Sequence, residues 1–524
     1  MPRIRLNPLS RIHGYMSIEV EINHGTVTDA WSSGILYRGF ESILKGRSPH
    51  DAVYLTQRIC GICSSAHAIA AALTLENAFK IDVPHNGKVI RNLYRGFESI
   101  LKGRSPHDAV YLTQRICGIC SSAHAIAAAL TLENAFKIDV PHNGKVIRNL
   151  ILGADLIQNH LRHLYLLAIP DYISAPKNAP GGIRSELDLR LPKALETRIQ
   201  ENYLKALETS SLAHQAVAAF GGKAPHLQSI VAGGVTEHVL TDRIVRFQAL
   251  LGKLAKFVND SLLPDLEDIA RYYGDYYQIG KGYGNFLSYG MFPLDSDEQK
   301  KHFAAGLLVD GEAQEIFDTE KISLDIRHAW YQGKEGPQKP LAQASSPAPG
   351  KEEAYSWIKA PRYANKAFEG GPLARMWLTG IYKNGISVMD RLMARAIETR
   401  EIAIQLNNWL HELIPDQPTI NWLEQLPLSA EGVGLTEAMR GPLAHWVRIE
   451  NRRIDAYRII TPSAWNLSPR DSAGQRGPLE EALVGTPVAN ANNPVEVGRV
   501  VRSFDPCISC AVHVLDKKNA WRVI

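Results

Sequence analysis

The sequence predicts a mainly α protein, a bundle of long helices with small peripheral β elements and an N-terminal β-hairpin. Three observations carry that expectation. Apolar residues recur at helical spacing through residues 146–169, 194–218, 236–273 and 372–413. Apolar and polar residues alternate strictly near the start of the chain. Of 524 residues, 45% are hydrophobic and 21% charged, enough to cover a large core.

The elements follow in order. Met16, Ile18, Val20 and Ile22 point to one face of a strand, Asn23-His24-Gly25 makes a turn, and Thr26-Val27-Thr28 returns. Ser121 and Ser122 are placed to cap a helix through AHAIAAALTLENAF, as Ser64 and Ser65 are for an identical segment upstream. The four long helices come next. Residues 332–371 are rich in Pro, Gly, Ser and Lys and read as a long surface loop or subdomain join. Past Gly432, VRIE and YRII read as short strands.

An exact tandem duplication interrupts this order. Residues 37–93 recur without one change as residues 94–150, a period of 57 in two copies. Solenoid repeats drift in sequence and number three or more, so this is not a solenoid. Complete identity fits a recent in-frame duplication, an engineered insert or an assembly error. One copy is expected to be surplus within a single domain spanning residues 1–524.

Charge excludes some functions. Lys and Arg number 58 against 54 Asp and Glu, a net +4, too even for nucleic-acid binding through bulk charge. No apolar run is long enough to suggest a membrane span. Residues 1–10 hold two arginines but no apolar core, so no secretion signal is expected. The chain is expected to be made in the cytoplasm, and to be exported or membrane-attached only together with a partner.

All six cysteines lie in C-x2-C pairs: Cys60/Cys63, Cys117/Cys120 and Cys507/Cys510. None is left over for a structural disulfide, which suits a reducing compartment. One such pair is a redox motif or half a zinc site. Two pairs make a four-thiolate site for zinc, iron–sulfur or another soft metal. With the duplicated pair set aside, the remaining pairs are far apart in sequence, so two distant elements must converge on one metal.

The residues around these pairs add a resemblance. Arg115-Ile116-Cys117-Gly118-Ile119-Cys120, repeated upstream from Arg58, and Asp505-Pro506-Cys507-Ile508-Ser509-Cys510-Ala511-Val512-His513 resemble the two signatures of nickel–iron hydrogenase large subunits. RGFE at Arg38 and again at Arg95, AGGVT at Ala232, KAPRY at Lys359 and GPLAR at Gly371 are similar too. So are RGPL at Arg440, SAWNLSPRD at Ser463 and GQRGPLEEALVGTP at Gly474.

The resemblance implies a fold, an activity and a site. The fold is that of the hydrogenase large subunit, and the reaction is H2 ⇌ 2 H+ + 2 e−. Cys117 and Cys507 would be terminal nickel ligands. Cys120 and Cys510 would bridge to an iron carrying CO and cyanide, with Cys60 and Cys63 equivalent candidates from the other copy. Arg440 would lie over the metals, Ser463 would hydrogen-bond a diatomic ligand, and Asp505 would stand behind the last cysteine pair. A buried Mg2+ would be held by Glu98 or Glu41, by His513 and by a backbone carbonyl near Leu467. The chain has no spare cysteines for an Fe-S cluster, so an iron–sulfur small subunit must take the electrons. The resemblance also implies nickel-delivery factors and a maturation endopeptidase that removes residues 514–524 after His513.

Three positions depart from the family pattern. His13, in Arg11-Ile12-His13-Gly14-Tyr15, replaces an acid beside the metals and is assigned to the catalytic site in its place. Asn159 replaces a second acid, and Met439 a proline. His124, His160 and His163 read as structural. The alternatives are an H2-sensing regulatory relative with low turnover, a non-catalytic relative of the kind found in respiratory complex I, and a zinc-clipped structural protein. The eleven residues after His513 favour the enzyme over the sensor.

Overall fold

The structure, a computed structural model, describes residues 3–34, 101–174, 188–294 and 300–511, apart from 8, 15, 315–316, 334, 343–344, 349, 423–424 and 492. The first copy of the repeat, with Glu41, Cys60, Cys63, Ser64 and Ser65, lies outside the described residues. So do Glu98, His513 and residues 514–524, and of Cys510 only the backbone is described.

The N-terminal hairpin forms as its alternation predicts. β2 (Met16–Asn23) and β3 (Thr26–Gly34) pair antiparallel, and β1 (Arg3–Leu6) adds a third strand beside β2. His24 and Gly25 both take positive φ, 49° and 75°, as a tight two-residue turn requires.

From residue 101 onward the second copy builds the core. α1 (Asp108–Thr113) and a single tight turn, Gln114–Ile116, lead to the cysteine pair. α2 (Ser121–Phe136) follows it. The capping expectation fails here. Cys120 is the residue at the N-cap, and both serines lie inside the first turn. Their hydroxyls serve tertiary partners instead: Ser121 Oγ accepts the His226 N–H at 3.1 Å, and Ser122 Oγ donates to Asp155.

α3 (His142–Arg162) begins four residues before the predicted start, and its continuation over His163–Ala168 widens into π-type turns. α4 (Lys193–Gly221) matches prediction within a few residues. The predicted 236–273 helix is α5 (Thr241–Phe257) and α6 (Leu263–Tyr272), joined through the widened turn Val258–Leu262. The predicted 372–413 helix is two: α7 (Pro372–Thr379) and α8 (Val388–Glu412). Gly380, at φ 86°, ends the first, and Ser387 caps the second by accepting the Asp390 N–H at 3.0 Å.

α3 and α8 are the centre of the molecule. Residues 146–161 of α3 and 388–396 of α8 are buried on every face. Polar groups inside such helices need partners. Arg148 on α3 therefore grips the Glu133 carboxylate of α2, and Arg391 on α8 grips Glu369 at 2.7 and 2.8 Å.

VRIE and YRII do fall in strands, within a sheet of longer strands: β4 (Ser429–Ala438), β5 (Gly441–Glu450) and β6 (Arg453–Ile460). The other sheets described have two or three strands each. β4 lies directly on α2, which demands glycine: a Cβ on Gly434 would sit 2.3 Å from the Ala127 carbonyl oxygen and 2.5 Å from the Thr131 nitrogen. The predicted loop at 332–371 is more ordered than its composition suggests. Its Ala360–Tyr363 strand pairs with Ile322–Asp325, and Arg362 is buried against Asp471 at 2.7 Å. No described helix is long and apolar enough to cross a membrane.

Candidate metal centre

Cys117 leaves the turn after α1 in an extended conformation, and Cys120 opens α2. Between them the chain bends so that the Ile119 N–H donates to Cys117 Sγ at 3.4 Å. Cys507 arrives from the other end of the chain. Asp505 takes φ 54°, which turns the backbone sharply ahead of Cys507, and Ser463 Oγ accepts the Cys507 N–H at 3.2 Å. Ser463 therefore holds the backbone of this cysteine.

The two cysteines meet. Their sulfurs are 3.7 Å apart, both residues are 0% exposed, and they form no disulfide. Two thiolates each ~2.3 Å from one metal at a near-tetrahedral angle lie ~3.8 Å apart, so the separation fits a shared metal. Among the described residues no three His, Cys, Asp or Glu side chains close on one point. The fourth thiol of the set, Cys510, has only its backbone described, in the short helix Ile508–Ala511.

The N-terminal segment closes over this cysteine. The His13 N–H donates to the Pro506 carbonyl at 3.1 Å, and the Ile508 N–H donates to the His13 carbonyl at 2.8 Å. His13 Nε2 is buried and has no hydrogen-bond partner among the described residues. Burial, with the Arg440 charge adding to it, brings the His13 imidazole down to about 4. The ring is therefore neutral at pH 7, with a nitrogen able to take a proton.

Arg440 occupies the turn between β4 and β5. Gly441 beside it, at φ 132°, lets that turn run against Gly370, where a Cβ would come within 2.8 Å of the carbonyl carbon. Arg440 Nε donates to the Asp505 carbonyl at 2.8 Å and Nη2 to Asp505 Oδ1 at 3.0 Å. Arg395 Nη1 reaches Asp505 Oδ2 at 3.3 Å and His160 Nδ1 at 3.1 Å. Burial alone would raise the Asp505 carboxyl. The Arg440 guanidinium, with His163 and Arg395, outweighs it and holds the group well below the usual carboxylate range.

Behind His160 the charges continue. Glu398 accepts from His160 Nε2 at 2.8 Å and from Arg375 at 2.7 and 2.8 Å, and Arg375 also donates to Glu437 at 2.7 Å. Arg395 donating to Nδ1 fixes His160 as the Nε2–H tautomer, so the ring links two charged groups while staying neutral itself.

The likeness to known proteins spans nearly the whole chain. The family model described as nickel-dependent hydrogenase matches residues 38–94, 95–180, 185–385 and 379–513. The periplasmic [NiFeSe] hydrogenase large subunit of Desulfomicrobium baculatum is 35% identical over 98% of this chain and 95% of its own. The hydrogenase-2 large chain of Escherichia coli K12 is 31% identical over 98% and 97%. The Ni-Fe-Se hydrogenase of D. vulgaris Hildenborough in the reduced state superposes with a TM-score of 0.84 at 36% identity, covering 98% of this chain and 100% of that one.

The chain belongs to the nickel-dependent hydrogenase family.

It is a nickel–iron hydrogenase large subunit, as its two cysteine signatures led us to expect. The relatives are named as hydrogenase chains, and the sensor alternative finds no support among them. The structure brings together Cys117, Cys507, Asp505, Arg440, Ser463 and His13. Cys120 is buried at the start of α2, 3% exposed. Leu467 is buried too, and its carbonyl accepts from Ser32 Oγ at 3.2 Å. Glu98, Glu41, His513, Cys60 and Cys63 fall outside the described residues. His160 lies between Glu398 and Arg395, one step behind Asp505. His163 Nε2 sits 2.7 Å from the Arg502 carbonyl oxygen, which makes it the donor. His124 joins a buried row, with Nδ1 3.1 Å from His445 Nε2 and His445 Nδ1 3.0 Å from the Tyr457 hydroxyl.

Sequence reasoning missed Arg375, Arg395, Glu398 and Asp155. One signal was present: Arg391, Arg395 and Glu398 stand at i, i+4 and i+7 of an apolar helix, a charged stripe where only core was expected.

Proposed function

We propose that this large subunit catalyses H2 ⇌ 2 H+ + 2 e− at a nickel–iron centre whose iron carries CO and cyanide. Cys117, Cys120, Cys507 and Cys510 hold the metals, so the working ligands come from the second copy of the repeat. The observation that carries the reading is the Cys117–Cys507 sulfur contact of 3.7 Å, buried beside the Arg440–Asp505 pair. Thiolates are soft donors and suit a redox-active nickel, which supplies the electron transfer and the polarisation of H2.

The chain's own residues do the remaining work. Arg440, fixed by Asp505, keeps a cation beside the buried site. His13 Nε2 accepts a proton, the part an acid plays in the family pattern, and burial excludes bulk water from the exchange. Ser463 holds the Cys507 backbone and would hydrogen-bond a diatomic ligand of the iron. Electrons leave to an iron–sulfur small subunit. Leu467, His513 and Glu98, or Glu41, hold Mg2+. Residues 514–524 are removed after His513 by a maturation endopeptidase once nickel-delivery factors have acted. The large subunit is made in the cytoplasm, and any export or membrane attachment comes through its small subunit.

The test is elemental analysis and H2-dependent dye reduction on the purified two-subunit enzyme and on Cys507→Ser. Nickel and iron in the parent, with nickel and activity lost in the variant, are expected. Zinc in the parent, or full nickel in the variant, overturns the assignment. Mass spectrometry of the active enzyme should find the chain ending at His513.

A further inference from the structure

Asn159 is 1% exposed on α3, next to His160, and faces the Arg440–Asp505 pair. With its amide oriented to satisfy both neighbours, Nδ2 donates to Asp505 Oδ2 at 3.3 Å and Oδ1 accepts from Arg440 Nη2 at 3.1 Å. One neutral side chain thus serves an anion with its donor and a cation with its acceptor. A leucine of similar size offers neither, and a carboxylate offers only the acceptor.

We propose that Asn159 is a positioning residue for Arg440: its amide completes the set of bonds that hold the guanidinium beside the metal cysteines. Arg440 is gripped at two nitrogens. Nε goes to the Asp505 carbonyl, and Nη2 is shared between Asp505 Oδ1 and Asn159. Both hydrogens of Nη2 are then directed, which fixes the rotation of the whole planar group. Asp505 cannot do this alone, because Arg395 also draws on its Oδ2 at 3.3 Å. Without the amide, the carboxylate can lean towards Arg395 and Arg440 loses one of its two anchors at Nη2. Asn159 acts through Arg440 and Asp505, so it positions and does not itself react. Charged hydrogen bonds are roughly twice as strong as neutral ones, and a misplacement of ~1 Å can cost ~100-fold in rate.

This inference rests on the reading that Arg440 works in turnover, so the experiment separates the two. Asn159→Leu, Asn159→Asp and Arg440→Lys are made in the two-subunit enzyme, and kcat and KM for H2 are measured per nickel bound. Asn159→Leu should lower kcat at least tenfold at normal nickel content, with KM changed less than twofold. Asn159→Asp, which keeps an acceptor for Arg440, should recover kcat relative to Asn159→Leu. A second readout needs no turnover. In metal-free protein, the melting-temperature losses of Asn159→Leu and Arg440→Lys should be smaller in the double variant than their sum, since both break one contact. If Asn159→Leu loads nickel poorly, Asn159→Ser takes its place in both measurements.

Wild-type kcat per nickel in Asn159→Leu, with activity lost in Arg440→Lys, overturns the positioning role and leaves the reading of Arg440 intact. Unchanged kcat in Arg440→Lys overturns both. Strictly additive melting losses also count against the proposal.

Discussion

Burial pushes the carboxyl of Asp155 up to about 7, and the Ser122 hydroxyl it accepts only partly offsets this. In the unfolded chain the same group titrates near 3.8. The folded state therefore keeps a proton that the unfolded state has released, and stability falls as pH rises through that window. The buried histidines act in the opposite sense. His160 is brought down to about 4 and His163 to about 3, both mainly by burial, from 6.5 unfolded. Their contribution is complete above pH 6.5 and is lost as pH falls below it. The two effects overlap and partly cancel in the wild type, so a single variant is needed to see either. Asp155→Asn should melt higher relative to wild type at pH 8 than at pH 4.5, a change of about 2–4 kcal/mol in relative stability. Calorimetry at the two pH values decides it, and a pH-independent difference would refute the account. The cysteines give a second prediction at this scale. Cys117→Ser should lose nickel and at least 100-fold in activity, while Cys60→Ser keeps both. Equal partial loss in the two variants would mean that the copies are used interchangeably.

Gly434 shows how tightly elements are fitted. β4 passes over α2 at a distance only a hydrogen allows, and two of the three atoms a methyl would meet, the Ala127 oxygen and the Thr131 nitrogen, are backbone and cannot move alone. Gly434→Ala should destabilise by roughly 2–3 kcal/mol or more, read as a drop in urea midpoint at unchanged slope. Ser387→Ala should cost about 1 kcal/mol through the lost cap of α8. That cap also marks the limit of reading elements from sequence. Apolar residues recur at helical spacing on both sides of residues 380–387, so the whole stretch reads as one helix although Gly380, Asn384 and Gly385 lie inside it. What divides it is local, a glycine at φ 86° followed by a capping serine. The site divides the same way. The cysteines, Arg440, Ser463 and Asp505 were legible because each sits inside a recognisable run of neighbours. Arg395 and Glu398 were not, because their meaning depends on α8 lying against the His160 face of α3, which no local window contains.

For the molecule as a whole, the repeat makes the sharpest prediction. Removing either identical block of 57 from the 524 residues leaves the same 467-residue chain. That chain should fold, bind nickel and turn over as well as the parent, since residues 101–150 already supply α1, α2 and the start of α3. Loss of nickel binding in the shortened chain would show that the first copy contributes to the fold.

The backbone bridge between His13 and Cys507 joins positions almost 500 residues apart. During translation the first of these leaves the ribosome long before the second exists. The N-terminal hairpin can form at once, but the clasp over the metal cysteine must wait until residues 506–508 have been made. Half of the thiolate set is likewise missing until then. A chain that stalls between residues 120 and 507 has Cys117 and Cys120 but lacks the thiolates that complete the set, so the four-thiolate site exists only once the C-terminal pair has been made.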